Sequence, residues 1–301
     1  MKYSLAIAHR VCPILAKTAY GFADKFEMVK VTTASLAAAI KGVRTKLFVI
    51  LDGCNAEYEQ LFDATFSGFA EIDYERISTP AIGNHPTYAK QMELLSSVVD
   101  DAEFLYLSED DYIYRNDAFR AMMDFLTNDG VDFVTPLDHP DRYSHLIPES
   151  VKVEIRISEF CHWREAGTTC CTFMTKSDTF KEARVPLALY GTGASDIMLW
   201  LGITKDSVFS PSATLGAFLR YVTGRRKTEC GYEFMTLAAW LYFKWRLFFL
   251  RKHHLWGPIP SLAVHLCKPS LPPLWESIYQ SGTVYDAWEV DVANKHGARV
   301  S

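Results

Sequence analysis

Between residues 3 and 109, apolar runs alternate with helix-like stretches, and the last run leads into three consecutive acids. YSLAIA (3–8), KLFVILDG (46–53), EIDYERIS (71–78) and EFLYL (103–107) read as strands. Residues 24–41, 56–69 and 87–99 read as helices, the first ending at Gly42. Four strands alternating with three helices predict a parallel or mostly parallel α/β sheet, because each strand needs a crossover to reach its parallel neighbour. The uninterrupted apolar run at 46–53 suits a strand buried on both faces. Ligands of such sheets bind at the carboxyl ends of the strands. Asp52 stands at one such end and Glu109, Asp110 and Asp111 at another.

A lone acid there is explained as a polar strand terminator, and that reading is open for Asp52. Three adjacent acids are harder to explain, because neighbouring carboxylates repel and desolvation raises the penalty. A hard divalent cation turns the repulsion into coordination. Mg²⁺ or Mn²⁺ takes oxygen ligands, typically one or two carboxylates, and completes its shell with substrate phosphates. Glu109 and Asp111 lie on one side of the chain if it is still extended.

An apolar strand ending in a D-x-D-like triplet after three β/α units resembles the nucleotide-sugar glycosyltransferases of the GT-A fold, most closely the inverting family 2 enzymes. The resemblance covers roughly residues 1–215 and one later segment. It implies a Rossmann-like, mostly parallel central sheet flanked by helices. It implies Asp111 as ligand of Mn²⁺ or Mg²⁺, with Glu109 and Asp110 beside the nucleotide-sugar. Glu109 departs from the commoner Asp. Asp52 corresponds to the acid that contacts the base, and Arg10 in AHRVCP (8–13) would face the uracil or the diphosphate. The segment GNHPTYAKQ (83–91) corresponds to the one before the helix that precedes the triplet. It offers Asn84, His85 and Lys90. GTGASDIML (191–199) resembles the turn that carries the general base, with Asp196 as the candidate and a helix N-cap as its other reading. His265 in SLAVHLCKPS (261–270) corresponds to a late metal or diphosphate ligand, with a structural histidine as the alternative.

Beyond the triplet, residues 117–129 and 195–203 read as helices and 131–136 as a strand, with strand-like pieces at 151–157 and 168–175. Trp163, Tyr190 and Trp200 have ring faces suited to a pyranose or equally to a core. DHPDRY (138–143) reads as an active-site loop or a solvated turn. The expected organisation is a catalytic domain over 1–220, with a nucleotide-sugar half (1–115) and an acceptor half (116–220). An extension over 221–301 packs on it. Its aromatic and basic stretch 233–256 is too interrupted to span a bilayer, which needs about 20 apolar residues. It reads as a helix on a membrane surface or against the core. Residues 268–279 read as a Pro-rich ordered tail.

The formal net charge of −5 argues against general nucleic-acid binding. Seven cysteines without a C-x-x-C pair read as reduced thiols, and no signal peptide is evident, which together suggest a cytoplasmic protein, at most peripheral on a membrane. The expected function is metal-dependent transfer of a sugar, from a UDP-sugar by preference, to a carbohydrate or lipid-linked acceptor. The rivals are a nucleotidyltransferase, disfavoured because the segment after the first strand lacks glycine, and a membrane-associated scaffold. An aspartyl phosphohydrolase would carry its acids after the first strand.

Overall fold

The computed structural model describes residues 1–16, 19–144, 154–205, 251–267 and 271. The first half runs β1 (Tyr3–Val11), α1 (Lys25–Ile40), β2 (Thr45–Asp52), α2 (Ala56–Phe66), β3 (Ile72–Thr79), α3 (Asn84–Ser97), β4 (Ala102–Glu109), β5 (Tyr112–Tyr114) and α4 (Ala118–Leu126). There follow β6 (Phe133–Val134), α5 (Asp141–Ser144), β7 (Ile155–Ile157), β8 (His162–Ala166), β9 (Phe173–Lys176), α6 (Ser177–Glu182), α7 (Arg184–Leu187), a 3-10 turn (Tyr190–Thr192) and α8 (Asp196–Thr204). Two late strands, β10 (Leu255–Ile259) and β11 (Ala263–His265), complete the described chain.

Among the described residues nine strands form one sheet in the order β3-β2-β1-β4-β9-β6-β10-β8-β7. β1 to β4, β6, β7 and β10 point one way, and only β8 and β9 run against them. The fold is therefore α/β with a mostly parallel central sheet. The chain lays β2 and β3 outward from β1, then returns past β1 to place β4 on its other side. That reversal opens a crevice at the carboxyl ends of β1 and β4.

Alternation sends the two sets of side chains into two cores. Leu5, Ile7, Val11, Phe104 and Tyr106 pack with α1, α2 and α4, whereas Ala6, Ala8, Leu105 and Leu107 pack with α3, α6, α7 and α8. Arg10 and Glu109 continue the second set, so they emerge on the α3 side. They are also register partners on adjacent strands. β11 pairs with β5 in a separate two-stranded sheet, with His265 opposite Tyr112.

Several boundaries differ from the sequence reading. α3 begins at Asn84, not 87, because Pro86 is tolerated in a first helical turn where its missing N–H would have no partner. The 168–175 strand shortens to β9. Residues 167–172 instead run along the face beneath α8, where Trp200 Nε1 donates to Cys170 O and Thr204 Oγ1 donates to Gly167 O. Of the expected 233–256 helix, residues 233–250 lie outside the described residues. Residues 251–254 are not helical, and Leu255 and Trp256 enter β10 in the middle of the sheet. Gly257 and Pro258 are poor helix formers, and Leu255 and Trp256 fill opposite cores. Part of the expected extension is thus integral to the sheet. Most of the Pro-rich tail and the last residues, 272–301, lie outside the described residues. The DHPDRY loop is neither solvated nor open throughout: Asp138 and Arg142 are buried, and the Arg142 guanidinium lies against Gly257, where a Cβ would collide with it.

His9 illustrates what the cores impose. It is buried beside Phe62, with Nδ1 at 2.9 Å from Ser108 Oγ. Burial first, and the charge of Lys25 second, push its pKa from 6.5 to about 3. The unfolded chain therefore binds a proton that the folded chain refuses. Stability conferred above pH 6.5 is lost as the pH falls toward 3. At pH 4.5 this amounts to about 2–3 kcal/mol. His9→Gln is expected to flatten the acid limb of a urea-unfolding pH series by that amount; equal slopes for the two proteins would contradict it.

Candidate active site at the carboxyl ends of the first and fourth strands

Each acid of the triplet meets a different cation, carried by a different part of the chain. Glu109 Oε1 accepts from Arg10 Nη2 of β1, and its Oε2 accepts from Thr172 Oγ1 at 2.9 Å. Asp110 Oδ1 accepts from Lys25 Nζ at the start of α1 (2.8 Å), and its Oδ2 accepts from the Cys12 amide (2.9 Å). Asp111 Oδ2 lies 3.0 Å from His265 Nε2 of β11.

α1 explains part of this arrangement. Its buried polar residues Lys25, Thr32 and Ser35 recur on one stripe facing the acid turn. Thr32 Oγ1 donates to Asp110 O at 2.9 Å. Ser35 Oγ accepts from Tyr114 N at 2.7 Å and donates to Tyr114 O at 3.2 Å. A hydroxyl inside a helix normally adds little, but here Thr32 serves the backbone of the acid turn and Ser35 that of β5.

Arg10 is enclosed as well as paired. Its Nη1 donates to Asn84 O and Oδ1, and its guanidinium lies about 6 Å from the Tyr88 and Tyr190 ring centres. Tyr190 is latched to α3, with Asn84 Nδ2 donating to its hydroxyl and His85 Nδ1 donating to its carbonyl, both at 2.8 Å. Burial opposes the Arg10 charge most, but Glu109 together with Cys171 and Tyr190 outweighs it and holds the guanidinium firmly charged.

Asp111 and His265 differ from the other two pairs. Burial acts against both charges, yet each stabilises the other. Asp111 falls to about 2, and the imidazolium of His265 is held well above its ordinary range. Asp111 Oδ1 is buried with no hydrogen-bond partner among the described residues. The remaining pair is lopsided: burial lifts Asp110 above the usual carboxylate range against the pull of Lys25.

The structure places the other sequence candidates as follows. Asp52 is occupied by its own loop, with Oδ1 accepting from Thr79 Oγ1 (3.0 Å) and Ile82 N (2.7 Å) and Oδ2 accepting from Gly83 N (2.8 Å). Asp52 thereby supports the turn that presents Asn84. Glu109 is likewise held by Arg10 and Thr172. Lys90 does not join the cluster: it lies one helical step off the Asn84–Tyr88–Gln91 stripe and pairs with Glu93 at 2.9 Å. Trp163 and Trp200 are fully buried, the first stacked on Phe125 and the second packed against Phe133 and Phe173, so neither presents a face to an acceptor. A large aromatic fills a core as readily as it binds a sugar, and here the core prevailed.

Asp196 opens α8 behind the Ser195 cap, whose hydroxyl accepts from Met198 N. The N-cap reading therefore belongs to Ser195. Asp196 is half-buried and close enough to Cys170 and Cys171 to raise their thiol pKa values, which burial raises first. Cys170 in turn neighbours His265, and Cys171 neighbours Glu109 and Arg10. Asp196 thus stands on the same side of the crevice as the acid turn. Lys25, Thr172 and the Cys170–Cys171 pair escaped the sequence reading. Lys25 alone left a trace, as a buried basic residue directly after the Asp24 cap of an apolar helix.

Whether these residues suit a divalent cation turns on Asp111 and His265. Among the described residues no group of three or more His, Cys, Asp or Glu side chains forms a metal cluster. Two protein donors and substrate phosphates are nevertheless enough for Mg²⁺ or Mn²⁺. Asp111 Oδ2 and His265 Nε2 converge to 3.0 Å, close enough that one ion could be held by both. The unpartnered Asp111 Oδ1 is a further free acceptor. The residues fit.

No protein-family profile matches the chain, and no curated protein is similar to it. Solved structures resemble it faintly. A protein described as a nucleotide-diphospho-sugar transferase from Desulfovibrio desulfuricans G20 aligns at TM-score 0.35 and 10% identity over 59% of this chain and 65% of that one. A cytidylyltransferase from Leptospira borgpetersenii aligns at 0.34 and 11% over 62% and 64%. The bifunctional glycosyltransferase WbbM aligns at 0.40 and 6% over 62% and 34%. In each case the match spans less than two thirds of the other chain, and overlaps this shallow do not assign an activity.

The buried Lys25–Asp110 pair yields a stability test. Lys25→Met and Asp110→Asn are each expected to lower unfolding free energy by about 3 kcal/mol, because each leaves an uncompensated buried group. The double variant should lose less than the sum by about 1 kcal/mol or more in urea unfolding. Strict additivity would show that the two side chains do not support each other.

Proposed function

We propose that the protein is a glycosyltransferase that moves a sugar from a nucleoside-diphosphate sugar, UDP-sugars being favoured, to an acceptor hydroxyl. The observation that carries the reading is the Asp111–His265 pair, with a free carboxylate oxygen, in the crevice between β1 and β4. Asp111 and His265 would hold a Mn²⁺ or Mg²⁺ ion, which when bound supplies positive charge to a leaving diphosphate. Glu109 and Asp110 do not share that task, since each already has a permanent cation. Their part is to fix the turn that carries Asp111.

Asp196 would take the proton from the attacking hydroxyl. A carboxylate in that role contributes typically about 10²- to 10⁴-fold. Attack assisted from the side opposite the leaving group inverts the anomeric centre, so the stereochemistry stands or falls with Asp196. Tyr190, latched beside Arg10, would line the donor side of the crevice rather than the acceptor. Glycosyl transfer is favoured over nucleotidyl transfer because β1 is followed by Cys12, Pro13, Ile14, Leu15 and Ala16. That stretch has no glycine with which to cradle a triphosphate. The acceptor is a carbohydrate, free or lipid-linked. Among the described residues no helix is long and apolar enough to cross a membrane.

Thermal shifts with UDP, GDP, CMP and dTDP, each with and without Mn²⁺, test the reading. A ligand at about 100 times its dissociation constant stabilises by about 2.7 kcal/mol, equivalent to several degrees. The expected result is a shift with UDP that requires Mn²⁺ and disappears in Asp111→Ala. No shift with any nucleotide in a folded sample would remove the transferase reading and favour a non-catalytic scaffold.

A further inference from the structure

The sequence continues from the acid triplet directly into Tyr112, Ile113 and Tyr114, which form β5. Register places Tyr112 directly opposite His265 of β11. Directly opposed residues of an antiparallel pair project to the same face with their Cβ atoms about 5 Å apart. The two rings lie 4.7 Å apart and within 1° of parallel. On its other side Tyr112 faces Tyr114 at 6.2 Å and 21°. The Tyr114 hydroxyl is anchored to Tyr106 and Ser108. His265 is therefore the outer plate of a three-ring stack rooted in the core. The stack sets the imidazole plane, and Nε2 meets Asp111 within it.

We propose that Tyr112 is a positioning residue for the proposed cation site: its ring face holds the His265 imidazole in the plane that presents Nε2 to the ion. The inference rests on the reading of Asp111 and His265 as the ion-holding pair and deepens it. Two features separate this from ordinary packing. The electron-rich face of a phenol attracts a ring that bears positive charge, as an imidazole does when it ligates a metal ion. Moreover, the Tyr112 hydroxyl is buried with no hydrogen-bond partner among the described residues, so the ring and not the hydroxyl does the holding. Outer partners that fix a ligating histidine commonly govern metal affinity by about 10- to 100-fold.

The test varies the charge distribution of the ring while keeping its shape. Mn²⁺ affinity is measured from the free-ion EPR signal at saturating UDP for the wild type, for Tyr112→Phe and for protein carrying pentafluorophenylalanine at position 112. The near-UV circular dichroism spectrum of each protein without ligand is measured in parallel. Tyr112→Phe is expected within about twofold of the wild type, since it retains an electron-rich face. The fluorinated protein, in which the ring quadrupole is reversed, should bind Mn²⁺ about tenfold more weakly. Its circular dichroism spectrum without ligand should match the wild type's, which a general loss of structure would not allow. Equal Mn²⁺ affinity in all three proteins would overturn the role of the ring face. So would a Tyr112→Phe loss as large as that of the fluorinated ring, because the hydroxyl would then be responsible. A wild type that binds UDP and ignores Mn²⁺ would overturn the inference by removing the ion site, a result distinct from either.

Discussion

One cation stands against each carboxylate of the acid turn, and the rest of the site depends on this. Three adjacent acids at the end of a buried strand would repel one another in a poorly solvated setting. The fold answers with Arg10 from β1, Lys25 from α1 and His265 from β11. Each supplier lies far from residue 110 in sequence, so the turn acquires its charge balance only when the domain has assembled. The supporting contacts follow the same logic. Asp52 holds the turn that presents Asn84, Asn84 holds Arg10, and Arg10 holds Glu109.

The three partners are not equivalent. Arginine and lysine remain charged under ordinary conditions, so Glu109 and Asp110 are committed to the framework. Histidine can give up a proton and bind a metal through the nitrogen that carried it. Asp111 is thus the one acid of the triplet whose partner can change, and it alone has an oxygen left over. This asymmetry is why the proposed chemistry centres on the third acid, with Asp196 on the same side of the crevice as the proposed base.

Much of the sheet was legible in the sequence because its strands announce themselves by uninterrupted apolar runs separated by helical periodicity. β1 to β4 and α1 to α3 belong to that class, and the crevice follows from their order. The late strands were not legible. β10 is five residues long, contains Gly257 and Pro258, and becomes a strand because two flanking strands need a partner. At the site, the residue types at strand ends were readable, as with Arg10, Asp111 and His265. Their partners were not, since Lys25 and Thr172 reach the turn through tertiary contacts that no local pattern encodes. The surroundings of Asp52, Lys90, Trp163 and Trp200 were not legible either. Each has the right residue type at a plausible place, and the structure occupies it otherwise: with a loop, with Glu93, or within a core.

The most direct measurement is anomalous diffraction at the manganese edge from crystals soaked with Mn²⁺ and UDP. The account predicts a single strong peak within bonding distance of Asp111, about 2.1 Å from its carboxylate, with His265 rotated little from its stack on Tyr112 and the diphosphate on the ion's far side. A peak bound by Glu109 or Asp110, or a nucleotide seated in the crevice with no ion at Asp111, would contradict it.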